Sequence, residues 1–223
     1  MRFMMFLRLC FIGFWAAIVV GCQNDPKVAD NQSNKQPKTD TLEMPVRTRE
    51  GAGTYDITEG TIMWIGKNGQ QLYAAKVPFK GELLANQDYL LSGSFELDMA
   101  ALALIGDQPS GEEQAKLGQA IKSASYLNAA KYPTARLEFS EVLPSKMEAF
   151  NAVLEALLTM KGKTLPVNVP LKVTVGAETC TLESVNFGVN ATEWGMALPG
   201  KKGMPADEGG NLTWTLTAKA KRR

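Results

Sequence analysis

Residues 91–99 read Leu91-Ser92-Gly93-Ser94-Phe95-Glu96-Leu97-Asp98-Met99. Odd positions are apolar or glycine and even positions are polar. Successive strand side chains point to opposite faces, so the stretch predicts a strand with one dry and one wet face. The pattern recurs along the chain. Val167, Val169, Leu171, Val173 and Val175 alternate with Asn168, Pro170, Lys172 and Thr174. Leu212, Trp214, Leu216 and Ala218 alternate with Thr213, Thr215, Thr217 and Lys219. Shorter runs are Tyr55/Ile57, Ile62/Trp64, Tyr73/Ala75/Val77/Phe79 and Ala135/Leu137/Phe139. Between Thr179 and Asn190 the phase slips. Cys180 and Leu182 are even, whereas Val185, Phe187 and Val189 are odd. That slip predicts a bulge near Glu183-Ser184.

These runs make an all-β domain of about eight one-sided strands. Their dry faces pack either as a sandwich or as a closed barrel. An antiparallel barrel of that size can hold one small ligand.

Two segments follow the helical period instead. Ser110 is a candidate cap, Glu112 and Glu113 suit a first turn, and Ala115, Leu117, Ala120, Ile121 and Ala124 form a stripe. The helix must end before Tyr132-Pro133. It predicts a helical insertion near residues 110–127. Further on, Met147, Phe150, Val153, Leu154, Leu157 and Leu158 also recur at helical spacing behind Ser145. Local preference there favours a helix.

The chain has 223 residues, net charge +1 and no histidine. That removes histidine bases, Ser/His and Cys/His pairs and histidine metal ligands. Balanced charge argues against a nucleic-acid partner. Met1–Gly21 carries Arg2 and Arg8, no acid, and an apolar run from Leu9 to Val20. This is the pattern of an export signal, short for a membrane span. Val19-Val20-Gly21-Cys22 resembles a bacterial lipobox, which implies a lipoprotein signal peptide over 1–21 and lipidation, with palmitate or a similar acyl chain, at Cys22. Residues 22–50 are polar, carry three prolines and predict a flexible tether spanning roughly 30 Å. The domain is expected over 51–223. Cys10 leaves with the signal and Cys22 is acylated, so Cys180 has no partner for a disulfide.

Several pieces then stand in a telling order. They are Tyr55-Asp56-Ile57, Trp64-Ile65-Gly66-Lys67, residues 93–99, Tyr126-Leu127-Asn128 and Lys131-Tyr132-Pro133-Thr134-Ala135. Leu158-Thr159-Met160-Lys161-Gly162-Lys163-Thr164, Phe187 and Thr192-Glu193-Trp194-Gly195 complete the set. Together they resemble the YceI-like family of exported bacterial proteins. The resemblance implies a lipocalin-like antiparallel barrel with a helical insertion. It also implies an interior that binds polyisoprenoids or fatty-chain amphiphiles. It favours a strand over the helix from about Val153, with Ala152, Leu154, Ala156, Leu158 and Met160 on one face and a short helix over 145–150 before it. The family's histidines are missing, and its arginine before the closing Trp-Gly is Ala191 here. These losses bear on contact with a polar headgroup more than on the barrel.

Trp64, Phe79, Phe95, Phe139 and Trp214 are the candidate ligand-cavity residues, or plain core fillers. Gly162-Lys163-Thr164 lacks the earlier glycine of a phosphate loop and precedes a strand. Asp98, Asp107, Glu112 and Glu113 read as solvated acids rather than a metal or catalytic cluster. Cys180 reads as a small buried hydrophobe. Asn31, Asn190 and Asn211 open chance glycosylation triplets. Lys219, Lys221, Arg222 and Arg223 read as a solvated basic tail with weak attraction for anionic headgroups. The expected function is a non-catalytic, membrane-tethered carrier of a long-chain apolar or amphiphilic molecule in the envelope. It needs no cofactor or metal, and an outer-membrane location follows from Gln23 after the cysteine. The alternative is a solid barrel that docks a partner, or an oligomer, on its surface. A histidine-free serine hydrolase is a third reading.

Overall fold

The computed structural model describes residues 49–68, 71–87, 89–106, 110–197 and 210–223. The expected signal peptide, Cys22, the tether up to residue 48, Asp107 and the Asn31 triplet lie outside the described residues.

The strands are β1 (Gly53–Asn68), β2 (Gln71–Ala85), β3 (Leu90–Asp98), β4 (Ala103–Ile105), β5 (Thr134–Met147) and β6 (Phe150–Met160). They continue as β7 (Lys163–Val175), β8 (Thr179–Ser184), β9 (Phe187–Asn190) and β10 (Asn211–Arg222). One helix, α1 (Gly111–Lys122), follows β4, and a single 3-10 turn covers Ala191–Trp194. All pairings are antiparallel. β1 pairs with both β2 and β10, which closes the path β2–β3–β5–β6–β7–β8–β10 into a ring. β8 and β9 both pair with β10 and share one stave, so the barrel has eight. β4 lies outside this ring and pairs with β2. The choice between sandwich and barrel therefore falls to the barrel.

Alternation sets the inside. Tyr73, Ala75, Val77 and Phe79 of β2 are buried, as are Ala135, Leu137, Phe139 and Val142 of β5. In β1 the inward parity changes from Tyr55 to Ile62 and Trp64. A register shift between Asp56 and Thr61 produces that change. Gly60 sits in the shift, and a Cβ there would meet the Phe79 ring at 2.8 Å.

The contested segment is strand β6. Ala152, Leu154, Ala156, Leu158 and Met160 are buried, while Leu157 is 51% exposed. Ladders to β5 on one side and β7 on the other outweigh the local helical preference. The short helix expected over 145–150 is absent. β5 runs on to Met147, which pairs with Phe150 across a tight turn.

Other expectations need correction. Leu91 is only half-buried and Leu90 takes its place inside. A register shift puts Ser92 opposite Leu84 but Leu90 opposite Ala85, so Leu91 bulges. The slip after Cys180 and Leu182 is a two-residue break at Val185-Asn186 rather than a bulge at Glu183-Ser184. The Ser184 hydroxyl accepts from the Leu216 N–H at 2.6 Å, which satisfies β10 where the ladder stops. α1 buries only Leu117 and Ile121, and Ala115 and Ala124 are exposed. Ser110 caps it without a side-chain bond. The basic C-terminus is no tail. β10 runs to Arg222, Lys219 pairs with Glu59 at 3.0 Å, and Arg223 pairs with Asp56 and Glu82. The Arg223 guanidinium, mainly through its hydrogen bond, holds the exposed Asp56 carboxyl below its ordinary value.

Glycines make room for rings inside the wall. Gly93 lies opposite Phe139, and a Cβ there would meet Phe139 Cζ at 2.6 Å and Leu83 Cδ2 at 2.9 Å. Overpacking a filled core costs about 1–3 kcal/mol. Gly93→Ala is expected to lower stability by about that amount in urea melts. An unchanged midpoint would show that the Phe139 ring yields freely.

Candidate functional site

The five aromatic candidates all lie inside the barrel, in two groups. Trp64 and Trp214 stand opposite each other on β1 and β10, stacked at 6.0 Å with 9° between planes. Phe187 of β9 meets Trp214 edge-on at 6.1 Å, and Tyr126 meets Trp64 at 6.1 Å. The second group is on β2, β3 and β5. Phe79 and Phe95 lie 4.9 Å apart, and Phe95 and Phe139 lie 5.7 Å apart. Phe187 and Tyr126 belong to this buried aromatic cluster as much as the first five. Their signal was in the sequence, since both fall in the motifs quoted above, but nothing local shows that they reach the tryptophans.

The interior is almost wholly apolar. Asn86 is the only buried polar or charged residue among those described, and it serves the β2–β3 turn by accepting from the Tyr89 N–H at 2.7 Å. Against that background two groups stand out. Trp64 is 0% exposed and Trp214 is 1% exposed, and neither indole Nε1–H has an acceptor among the described residues. A buried donor left unmade costs about 1–3 kcal/mol.

At one end of the barrel a short turn is latched onto the β6–β7 hairpin. Lys161 and Gly162 both have positive φ, which makes a two-residue hairpin between Met160 and Lys163. This explains Gly162-Lys163-Thr164 without any phosphate. The 3-10 turn docks on this hairpin. The Trp194 indole donates to the Lys163 carbonyl at 3.0 Å and to that of Leu158 at 3.3 Å. Lys161 donates to the Gly195 carbonyl at 2.7 Å, and Lys163 donates to that of Glu193. The Ala197 N–H donates to the Ser125 carbonyl at 3.2 Å, which ties in the segment after α1. Three stretches far apart in sequence thus meet at one place. Asn190 belongs to the same turn. Its side-chain oxygen accepts from the Thr192 N–H and hydroxyl, so this triplet has a capping role.

The remaining candidates have simple settings. Asp98 accepts from the Ala101 N–H at 2.9 Å, and Glu112 pairs with Lys116 at 2.7 Å. Among the described residues no group of three or more acids and cysteines is placed to hold a metal. Cys180 is buried and free, and burial pushes its thiol up to about 11.

A closed antiparallel barrel with an aromatic interior and a latched hairpin defines the class. Residues 44–218 match the model of the YceI-like domain, so the chain belongs to the YceI-like family. Among solved structures it is similar to that of Burkholderia cenocepacia BcnA. The TM-score is 0.58 at 15% identity, over 72% of this chain and 95% of that one. It is also similar to a polyisoprenoid-binding domain from Saccharophagus degradans implicated in plant cell wall breakdown. There the TM-score is 0.51 at 8% identity, over 76% and 98% of the two chains. At these identities the likeness carries the fold. No curated protein matches the chain.

Cys180 generates a test of this packing. A buried thiol whose ionisation is raised has little thiolate at pH 8. Its peptide should stay unlabelled by a thiol reagent in the folded protein and label fully in denaturant, read by mass spectrometry. Fast labelling of the native protein would place Cys180 at an open surface.

Proposed function

We propose that this protein binds a long-chain apolar or amphiphilic molecule inside its barrel, as a non-catalytic carrier tethered to an envelope membrane. The observation that carries the reading is the Trp64/Trp214 pair: two buried indole N–H donors without acceptors among the described residues, in an interior lined mostly by apolar side chains. A carbonyl oxygen of a ligand that reaches either indole N–H recovers the cost of that donor. Family membership and the polyisoprenoid-binding relative support the same reading. Each buried methylene is worth roughly 0.8 kcal/mol, so the chain supplies the affinity and the oxygen supplies selectivity. Among the described residues no cation is buried to meet an anionic head, and burying an unpaired charge is costly. The oxygen that enters is therefore a neutral one. The rings already touch, so uptake requires the phenylalanine group to rearrange around the chain.

That same contact supports a second reading. Rings over Gly60 and Gly93 fill the bore, as a solid barrel that docks a partner on its surface would have it. The two readings separate on one comparison. Native mass spectrometry of the purified protein should show co-purified lipid. The delipidated protein should melt higher with a long-chain methyl ketone than with the matching alkane, at equal free concentration. The combination Trp64→Phe with Trp214→Phe should erase that preference, worth about tenfold in affinity for one or two hydrogen bonds. No ligand shift in the unmodified protein would leave the solid barrel.

The tether reading rests on Val19-Val20-Gly21-Cys22 and the polar stretch after it. On this reading the domain stands outside the cytoplasm, and Gln23 after the cysteine favours the outer membrane. One acyl chain gives marginal membrane binding and several give stable anchoring. Cys22→Ser should therefore move the protein from the membrane pellet to the soluble fraction and stop palmitate incorporation. A variant that still labels and sediments would end the lipoprotein reading.

A further inference from the structure

We infer that the line between β7 and β9 is a lateral portal through which a chain enters and leaves the barrel. The inference rests on the binding reading above. β7 is laddered to β8 only over Leu171–Val175. β9 is laddered to β10 and, among the described residues, to no other strand. The wall between the first half of β7 and β9 therefore lacks a hydrogen-bonded ladder.

The sequence itself keeps it so. In the hairpin with β6, Lys163 faces Met160 across the two-residue turn, so the odd residues of β7 direct their backbone groups to β6. The even residues direct theirs to the other side, and the Pro170 carbonyl does accept there, from the Val185 N–H at 3.3 Å. Two of the even positions are Pro166 and Pro170, which have no N–H to donate. From Pro166 to Pro170 the unladdered line is about 13 Å long at roughly 3.3 Å per residue.

Side chains close this line instead of a ladder. Val167 and Val169 of β7 and Phe187 and Val189 of β9 are buried there. Val167 at 9% and Phe187 at 8% are among the most exposed members of the core, whereas Val169 and Val189 are almost fully covered, so solvent reaches the line at Val167 and Phe187. Gly188 on β9 has open space where a Cβ would stand. Behind the line Phe187 lies edge-on to Trp214, which stacks on Trp64, so the portal opens onto the stacked indole pair. Both ends of the slit are fixed. The β7–β8 ladder with the Val185 bond holds one end, and the Trp194 and Lys163 latch holds the other. Dispersion contacts yield sideways without the directional penalty of a broken ladder, so the wall parts here before it parts elsewhere.

The test is kinetic. Full-length protein in detergent is mixed with cis-parinaric acid methyl ester, a fluorescent long-chain ester that quenches tryptophan, and association and dissociation are followed by stopped flow. Combining Pro166→Thr with Pro170→Thr restores two donors and should slow both rates by about tenfold, with the dissociation constant little changed. Phe187→Ala removes the side chain at the inner edge of the slit and should speed both. Rates unchanged in both variants, with the ester still bound, would overturn the portal and leave the binding reading standing. No uptake by the unmodified protein would overturn both.

Discussion

Everything in this molecule depends on β1 being laddered on both sides. Its residues face β2 along one edge and β10 along the other, which joins the two ends of the domain. The Arg223 N–H reaches the Thr54 carbonyl at 2.9 Å, and its guanidinium meets Asp56 and Glu82 from β1 and β2. Without that closure the sheet would present two long rows of unpaired backbone groups and an uncovered apolar face. Cys180, the free cysteine among the described residues, offers no covalent substitute. Closure needs curvature, and the register shifts near Gly60 and Leu91 provide it by inserting residues that bend the strands.

The interior meets two demands that pull apart. Rings over glycines fill the bore and stabilise the barrel through apolar burial. The Trp64 and Trp214 donors do the opposite, since each is held away from water without an acceptor among the described residues. A packed core that served stability alone would carry phenylalanine or leucine at both positions.

Much of this was legible in the sequence. Period-two runs located the inward faces of β2, β3, β5, β7 and β10, because burial of one face imposes that period directly. The same logic failed wherever a single residue changed phase. Nothing in Leu90-Leu91 tells which leucine turns inward, since the answer lies in the pairing with Leu84 and Ala85 on another strand. β4 is three residues long and half exposed, so it left no periodic trace. The alanines of α1 looked like a stripe because alanine is neutral between face and solvent, and only Leu117 and Ile121 had enough area to bury. The basic end looked solvated because its charges are indeed exposed, while the backbone beneath them is strand. Of the site, all five aromatics were identifiable as inward. The latch was not, because Trp194, Lys161 and Lys163 act on main-chain carbonyls, which any residue supplies.

Pro166 and Pro170 resolve a conflict that any barrel with a weak wall must face. A line of strand edge left unladdered invites a foreign strand to add there. Without donors at alternate positions, β7 makes a poor template for such a strand, just as it makes a poor partner for β9. β9 is only four residues long, which limits its own edge in the same way. The residues that keep the wall openable thus also protect it when it opens. The latch at Trp194 then confines the movement, because it holds the turn after β9 to the start of β7 through main-chain carbonyls. An opening bounded in this way parts the wall along a few residues and leaves the β1 closure, on the other face of β10, intact.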